Sequence, residues 1–130
     1  MHTFATRLME EIKGRQQTFE KLVVDGICYY DEFEEDVRNI PQYYSELKTT
    51  LSYMEMFANG ITLPNTKFRQ LHVNIARSNL VEFKSKHLRL YACSVKDGKL
   101  VITGGYKQNQ EKDIPKILQI VKDFIQSDQK

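Results

Sequence analysis

The stretch HLRLYACSVKDGKLVITGG, from His87 to Gly105, contains two apolar runs on either side of a turn signal. Its first run alternates, so that Leu88 and Leu90 share one face of a strand while Arg89 lies on the other. Asp97-Gly98 is a strong signal for a tight turn, and the apolar run after it predicts a returning antiparallel strand. The stretch therefore predicts a β-hairpin with one apolar face and an arginine on the opposite face.

Strand signals continue on both sides of this hairpin. The segment from Leu80 to Val95 gives two strand runs separated by a polar break near Ser85. Earlier in the chain, TFEKLVV from Thr18 to Val24 is rich in β-branched and apolar residues, which favour strands. Asp25-Gly26 follows it and indicates a turn. These runs predict several mainly antiparallel strands.

Two further segments have weaker signals. Residues 1–20 fit either an amphipathic helix or a hairpin that turns at Lys13-Gly14-Arg15, and we favour the hairpin because the flanking runs partly alternate. The segment from Leu63 to Leu71 is interpreted as a loop that carries Lys67 and Arg69.

Three segments carry helix signals. DEFEED, from Asp31 to Asp36, is interpreted as the start of a helix rather than a metal or acid–base cluster, because carboxylates stabilise a helix N-terminus. A second helix begins at Pro41 and ends at Asn59-Gly60. A third begins with Asp113 as N-cap and Pro115 in its first turn. The apolar stripe of the second helix is Tyr44, Leu47, Leu51, Met54 and Ala58.

Length and composition favour one domain. A chain of 130 residues, 41% of them hydrophobic, can bury a single ordinary core. Because helix and strand signals are segregated, we expect one α+β domain over residues 1–130. It would have a small, mainly antiparallel, twisted sheet with helices packed on one face.

Several classes of protein are disfavoured. No run approaches the ~18 apolar residues of a membrane-spanning helix, and the first twenty residues mix charges, so we expect a cytoplasmic protein. Cys28 and Cys93 are isolated, so we expect buried free thiols rather than a disulfide. His2, His72 and His87 lack ligand spacing, and we expect neither a metal nor another cofactor.

Charge is distributed unevenly along the chain. The net charge is +2, but residues 1–40 hold 5 Lys/Arg against 9 Asp/Glu, whereas residues 66–130 hold 13 against 6. This asymmetry favours a face that binds polyanions, although an unevenly charged solvated exterior is the alternative. The polar and basic segment from Tyr106 to Lys112 would leave the sheet at Gly104-Gly105, beside the Arg89 face of the hairpin. Basic and polar side chains placed together in this way are suited to binding phosphate groups.

The order of these segments resembles a known family. ANGITLPNTKFRQL, followed by LVEFKSKHLRLYACSVKDGKLVITGGYKQNQEKDI, resembles the RelE/ParE superfamily of toxins from toxin–antitoxin systems, and within it the HigB-like branch. The shared features are a helix that ends in Asn-Gly, a Leu-Pro step, a strand with Leu-Arg, a hairpin, and a Gly-aromatic string with Lys and Gln before the last helix. The resemblance covers residues 44 to 125.

This resemblance implies a metal-independent endoribonuclease, an mRNA interferase with a RelE-like fold. Such a hydrolase cleaves messenger RNA, often on the ribosome, and is neutralised by a cognate antitoxin protein. The 2′-hydroxyl of the RNA attacks the adjacent phosphate and the 5′-oxygen leaves. The reaction needs a base or a local positive charge that helps to deprotonate the hydroxyl, cations that stabilise the phosphorane, and an acid for the leaving group.

The resemblance also implies roles for individual residues. Arg89 matches the strand arginine that would hold the scissile phosphate. Lys107 would stabilise the developing charge, and Lys84 matches the basic residue of the preceding strand. Tyr106 or Lys112 would serve as the acid. The implied RNA-binding residues are Lys67, Arg69, Lys86, His87, Gln110 and Lys112.

Departures from the family pattern leave alternatives open. Leu80 and Glu82 stand where RelE itself favours lysines, so a lysine base is absent, and Glu111 replaces a commonly basic residue. His87 would act as the base only if its side chain turns to the face of Arg89. A ParE-like inhibitor of DNA gyrase and a catalytically silent nucleic-acid-binding module remain alternatives to the ribonuclease.

Overall fold

The structure, a computed structural model, describes residues 1–73, 75 and 78–128. The strands of this described part are β1 (Phe4–Leu8), β2 (Thr18–Val24), β3 (Phe68–Leu71), β4 (Leu80–Lys84), β5 (Leu88–Val95) and β6 (Gly98–Tyr106). Its α-helices are α1 (Tyr29–Arg38), α2 (Pro41–Ala58) and α3 (Gln110–Asp128), and a 3-10 turn over Lys107–Asn109 leads into α3.

The strands form one sheet in the order β1-β2-β6-β5-β4-β3. Neighbouring strands are antiparallel except β2 and β6, which are parallel. The N-terminal hairpin is present, since β1 pairs with β2 across a connection that contains Lys13-Gly14-Arg15. The α+β class and the mainly antiparallel sheet predicted from the sequence are confirmed.

Helices cover both faces of the sheet, so the expectation of helices on one face is wrong. Leu88 and Leu90 of β5 pack in the core beneath α1 and α2. Tyr91 and Cys93 of the same strand are buried on the opposite face, where Val121 of α3 packs against them. The physical reason is that β5 is apolar on both faces, and burial of both requires a helix on each side.

The predicted turns and helix ends are mostly confirmed. Asp25, Gly26 and Asp97 adopt left-handed backbone conformations with φ of 51°, 82° and 65°, which Asp and Gly tolerate better than other residues. α2 begins at the predicted Pro41, and Gly60 lies just beyond its end with φ of 88°.

Two predicted loops are ordered elements instead. Arg69 lies in β3, not in a loop, because this strand buries only Leu71 and gives little apolar signal. α3 begins at Gln110, three residues before the predicted start at Asp113.

β6 also continues past the point where the sequence suggested that it ends. Gly104 and Gly105 lie within the strand, and their role is close packing. A Cβ at Gly104 would lie 2.1 Å from the ring of Phe33, and one at Gly105 would lie 2.6 Å from a carboxylate oxygen of Asp113. The glycines therefore let α1 and α3 approach β6 closely.

No helix in the described ranges is long and apolar enough to cross a membrane. Cys28 and Cys93 are free and buried, as expected. Burial raises the pKa of both thiols. They are therefore protonated at neutral pH and pack as small apolar groups.

Candidate functional site

Three strand ends meet at one end of the sheet. Leu88 pairs with Tyr106, and Arg89 pairs with Gly105, across β5 and β6. Lys84, the last residue of β4, also pairs with Arg89. Residues that are distant in sequence therefore lie together here. Because side chains alternate along a strand, they divide between the α1/α2 face and the α3 face.

A pocket opens at this end of the sheet on the α1/α2 face. It has a volume of about 300 Å³ and is lined by Tyr43, His87, Tyr106, Lys107 and Gln108. Tyr43 comes from the first turn of α2, and the other four come from the chain around the start of β5 and the end of β6. This space is hereafter the His87 pocket.

His87 is held in place by Glu46 of α2. Nδ1 of His87 lies 2.6 Å from Oε2 of Glu46, and the backbone N–H of His87 donates to Oε1 at 2.8 Å. The Ser85 hydroxyl donates to the same Oε1 at 2.6 Å. Because His87 precedes β5, strand alternation does not fix its direction, and its side chain turns to α2. It therefore does not share the face of Arg89, and the condition for His87 to act as the base beside Arg89 is not met. Any reaction at His87 would use the groups of its own pocket instead.

The Glu46 carboxylate determines which ring nitrogen of His87 carries a proton. Burial raises the pKa of Glu46, but hydrogen bonds from Ser85 and His87 outweigh burial and hold the pKa below its ordinary value. An ionised carboxylate only accepts hydrogen bonds, so Nδ1 of His87 is the donor. In the neutral ring this leaves a lone pair on Nε2. Such a nitrogen can accept a proton from a bound ligand.

Aromatic rings and a lysine complete the His87 pocket. The ring centroid of Tyr43 lies 5.4 Å from that of His87 and 5.6 Å from that of Tyr106. Burial, together with the nearby Asp36 and Tyr43, raises the pKa of Tyr106, which keeps its hydroxyl protonated. The backbone N–H of Lys107 donates to the carbonyl of His87 at 2.8 Å and fixes the two residues side by side.

On the α3 face, Glu82 is the centre of a buried polar cluster. Its side chain is fully buried, and it accepts hydrogen bonds from Arg69 at 3.1 Å and from Gln110 at 2.9 and 3.1 Å. Nε of Arg89 lies 3.4 Å from Oε1. A buried carboxylate requires such partners because an unpaired buried charge is costly. The cluster joins β3, β4 and β5 to the start of α3.

Arg89 points into the protein rather than into solvent. Only 7% of the residue is exposed, and its Nη1 donates to the carbonyls of Ser85 and Leu88 at 2.7 and 2.8 Å. The predicted position of Arg89 opposite the face of Leu88 is confirmed, but the face is covered and not open. These contacts give Arg89 a structural role. Its role in holding a phosphate stays a prediction.

Lys84 lies among other cations. Burial lowers its pKa, the Glu82 carboxylate acts in the opposite direction, and the positive charges of Arg69, Arg89 and Lys107 lower the pKa further. Lys84 pairs with Arg89 across β4 and β5, and Arg69 and Arg89 both lie beside Glu82, so these three basic residues share one neighbourhood. Lys107 links this basic cluster to the His87 pocket, which it also lines.

The other residues predicted to bind RNA lie outside the His87 pocket. Nζ of Lys67 lies 5.1 Å from the ring centroid of Tyr53, on the side of α2. Lys86 and Lys112 are exposed. Gln110 is engaged with the buried carboxylate of Glu82 and does not line the pocket.

The structure divides the predicted catalytic residues into two groups. Tyr106 and Lys107 lie with His87 at the pocket, whereas Lys84 and Arg89 belong to the α3 face. The prediction that Tyr106 lies beside Arg89 is wrong, because the strand does not end at Gly104-Gly105. Since β6 includes Tyr106, alternation from Gly105 turns its ring to α1 and α2.

Two residues of the site were not predicted from the sequence. Tyr43 and Glu46 lie in α2, where they read as parts of an ordinary amphipathic helix. Glu46 is 41 positions before its partner His87. No local motif joins them, and only the packing of α2 against the start of β5 brings them together.

Comparison of the chain with protein-family models, curated proteins and solved structures finds no match. A functional conclusion therefore rests on the chemistry of the site, because fold class by itself does not specify function.

Proposed function

We propose that this protein is a metal-independent endoribonuclease and acts as the toxin of a type II toxin–antitoxin system. The observation that carries the proposal is the 2.6 Å hydrogen bond between Glu46 and His87 in a pocket that Lys107 also lines. A base oriented by a carboxylate, next to a cation, supplies groups that RNA cleavage by the 2′-hydroxyl requires. The resemblance to HigB-like toxins supports the biological role.

In the proposed reaction, Nε2 of His87 takes the proton of the 2′-hydroxyl. The 2′-oxygen forms a bond to the adjacent phosphorus, and the bond from phosphorus to the 5′-oxygen breaks, leaving a 2′,3′-cyclic phosphate. The ammonium group of Lys107 stabilises the negative charge that develops on the phosphorane. The hydroxyl of Tyr106 donates a proton to the departing 5′-oxygen.

The surroundings of the pocket support single-stranded RNA as the substrate. Tyr43 and Tyr106 offer ring faces, and unpaired bases commonly stack on such rings. Lys84 and Arg69, which are linked to the pocket through Lys107, would bind neighbouring phosphates of the backbone. The substrate class is therefore messenger RNA in an unpaired state, on the ribosome as the resemblance implies.

The proposal includes a neutralising partner. An antitoxin with an acidic or hydrophobic segment that folds on contact would cover the His87 pocket and the basic cluster. The excess of 13 Lys/Arg over 6 Asp/Glu in residues 66–130 supports an acidic partner. Co-expression with the neighbouring gene product tests this part. A neighbour that neither binds nor protects cells would contradict the toxin–antitoxin assignment.

The burial of Arg89 favours one alternative function. Arg89 forms an ion pair with the buried Glu82, so the arginine that the resemblance assigns to the scissile phosphate already has internal partners. A nucleic-acid-binding module without catalysis would bind phosphates with Lys84 and the half-exposed Arg69 and would not need Arg89.

Controlled expression in cells separates these functions. We expect wild-type protein to stop growth and create new RNA ends, and the His87→Ala variant to do neither at the same expression level. Sequencing RNA ends with and without active translation reports ribosome dependence. RNA binding without new ends would favour the non-catalytic module. Growth arrest with altered DNA supercoiling and intact RNA would favour the gyrase inhibitor.

A further inference from the structure

The outer edge of β1 has no partner strand in the described part of the chain, since β1 ends the sheet and pairs with β2. Backbone hydrogen bonds at the two ends of the β1–β2 pair show which residues of β1 face β2. The N–H of Met9 donates to the carbonyl of Phe19 at 2.9 Å, and the N–H of Asp25 donates to the carbonyl of Thr3 at 2.8 Å. Hydrogen-bonded and non-hydrogen-bonded residues alternate in an antiparallel pair. The odd-numbered residues of β1 therefore bond to β2, and the even-numbered residues direct their N–H and C=O groups outward.

These outward groups belong to Phe4, Thr6 and Leu8. Three features that commonly protect edge strands are absent from β1: it contains no proline and no lysine, and it has no bulge, since it pairs with β2 without a register shift. Its one charged residue, Arg7, lies 3.8 Å from Asp31 within the same chain. Leu8 is 56% exposed. An unprotected edge with an exposed leucine is a template for strand addition.

We propose that a second copy of this chain pairs with this edge, β1 to β1, in an antiparallel arrangement with its two-fold axis at Thr6. In that register Thr6 lies opposite Thr6 of the second copy, and Phe4 lies opposite Leu8 of the second copy. All outward-facing residues then form hydrogen-bonded pairs. Every outward N–H and C=O group of the strand gains a partner.

The charge of Arg7 and the length of the strand favour this register over the registers with the axis one residue earlier or later. With the axis at Thr6, Arg7 lies opposite Ala5 of the second copy, so no like charges are opposed. An axis at Arg7 would place the two arginines opposite each other. An axis at Ala5 would place Leu8 opposite His2, outside the strand. The register at Thr6 uses the whole strand without repulsion.

Apolar contacts also favour a second copy. Phe4, Thr6 and Leu8 share the α3 face of the strand, because alternate residues point the same way. Phe4 already packs edge-on against Phe124 of α3, with ring centroids 5.7 Å apart. Leu8 of the second copy would lie beside Phe4 and lose exposed surface. The contact is self-complementary and closes as a dimer. It does not depend on the proposed ribonuclease activity, because the His87 pocket does not include β1.

Sedimentation over a dilution series tests the dimer. We expect wild-type protein to reach twice the 15.3 kDa mass of the chain, and Thr6→Pro to remain a monomer. Proline at this position removes an outward N–H and no bond to β2. Leu8→Lys is also expected to remain a monomer. Ile61→Lys changes another exposed residue, 48% accessible, and is the control that keeps the dimer. Circular dichroism establishes that each variant is folded.

Cross-linking tests the register itself. Opposed residues in a hydrogen-bonded pair have Cα atoms about 5.5 Å apart, within disulfide range, so Thr6→Cys is expected to cross-link under mild oxidation. Leu8→Cys is expected to stay uncross-linked because each introduced thiol faces Phe4. Cys28 and Cys93 are buried and are present in every variant, so they affect all cross-linking samples equally. A wild-type monomer at every concentration would overturn the proposal. So would a dimer that survives both Thr6→Pro and Leu8→Lys, or cross-linking by Leu8→Cys alone.

Discussion

Nδ1 of His87 lies 2.6 Å from Oε2 of Glu46, although the two residues are 41 positions apart. The contact joins the second turn of α2 to the residue before β5, so it depends on the tertiary fold and not on a local motif. It orients the imidazole and leaves Nε2 free to act as a base. The proposed ribonuclease centre is built around this pair.

Glu46→Gln should reduce RNA cleavage more than RNA binding. The glutamine cannot supply the ionised acceptor that holds the Nδ1 tautomer of His87, and loss of a charge-assisted hydrogen bond costs about 1.5–3 kcal/mol, or about 10- to 150-fold in rate. Single-turnover cleavage and equilibrium binding to the same RNA measure the two effects. Glu55→Gln, on the same helix but outside the His87 pocket, is the matched control. Equal losses in binding and cleavage would assign Glu46 a structural role alone.

The stability that Glu46 contributes should depend on pH. Because hydrogen bonds hold the pKa of Glu46 below its ordinary value in the folded protein, the ionised carboxylate stabilises the fold above the ordinary pKa. This contribution is lost as the pH falls through the lowered folded pKa. We expect wild type to exceed Glu46→Gln by about 1–3 kcal/mol in unfolding free energy at neutral pH. Urea titrations at decreasing pH should show that the difference in unfolding free energy between wild type and Glu46→Gln becomes smaller in acid. A difference that does not change with pH would contradict the stabilising role of the ionised carboxylate.

Lys107→Ala should slow cleavage by about 10- to 150-fold, the value of one charge-assisted contact to the phosphorane. Lys107→Arg should retain part of the rate because it keeps the positive charge. Lys122→Ala removes the same charge from an exposed position on α3 and is the control. If Lys122→Ala slowed cleavage as much as Lys107→Ala, general attraction of RNA would account for the effect.

Arg89→Ala should destabilise the fold by about 3–5 kcal/mol, because it leaves the buried carboxylate of Glu82 with one fewer cation and removes the donor to two carbonyls. Arg69→Ala removes a half-exposed partner of the same carboxylate and should cost about 1 kcal/mol or less. Denaturant unfolding of both variants measures the difference. Similar costs would mean that the buried Arg89 contributes no more to the stability of the Glu82 cluster than the half-exposed Arg69.

Much of the fold follows from local patterns. The alternation around Arg89, the Asp97 turn and the limits of α2 are set by neighbouring residues, and the structure has them as predicted. The placement of α3 on the second face was not predicted, because the face that Arg89 shares with Tyr91 and Cys93 was interpreted as an open, basic face. β3 was not predicted because a short strand that is held by backbone pairing shows only a weak alternation of apolar and polar side chains.

The site was only partly predictable. Lys107 and Tyr106 were selected from the segment after the hairpin, and both line the His87 pocket. Glu46 was missed because a glutamate in an amphipathic helix usually faces solvent. The internal direction of Arg89 was missed because its partner Glu82 was interpreted only as the residue that replaces a lysine of RelE, in agreement with the HigB-like pattern, and not as a buried counter-ion.

The chemistry of the RNA ends produced by purified protein tests whether His87 is the base that activates the 2′-hydroxyl. A short messenger RNA and its copy with a single 2′-deoxy nucleotide at the cleavage position, each free and bound to purified ribosomes, are incubated with wild type, His87→Ala and the control His72→Ala, which changes an exposed histidine outside the pocket. We predict a 2′,3′-cyclic phosphate from wild type and the control, no cut in the deoxy substrate, and a loss of about 10²- to 10⁴-fold for His87→Ala. Undiminished cleavage by folded His87→Ala, or cleavage of the deoxy substrate, would contradict the account.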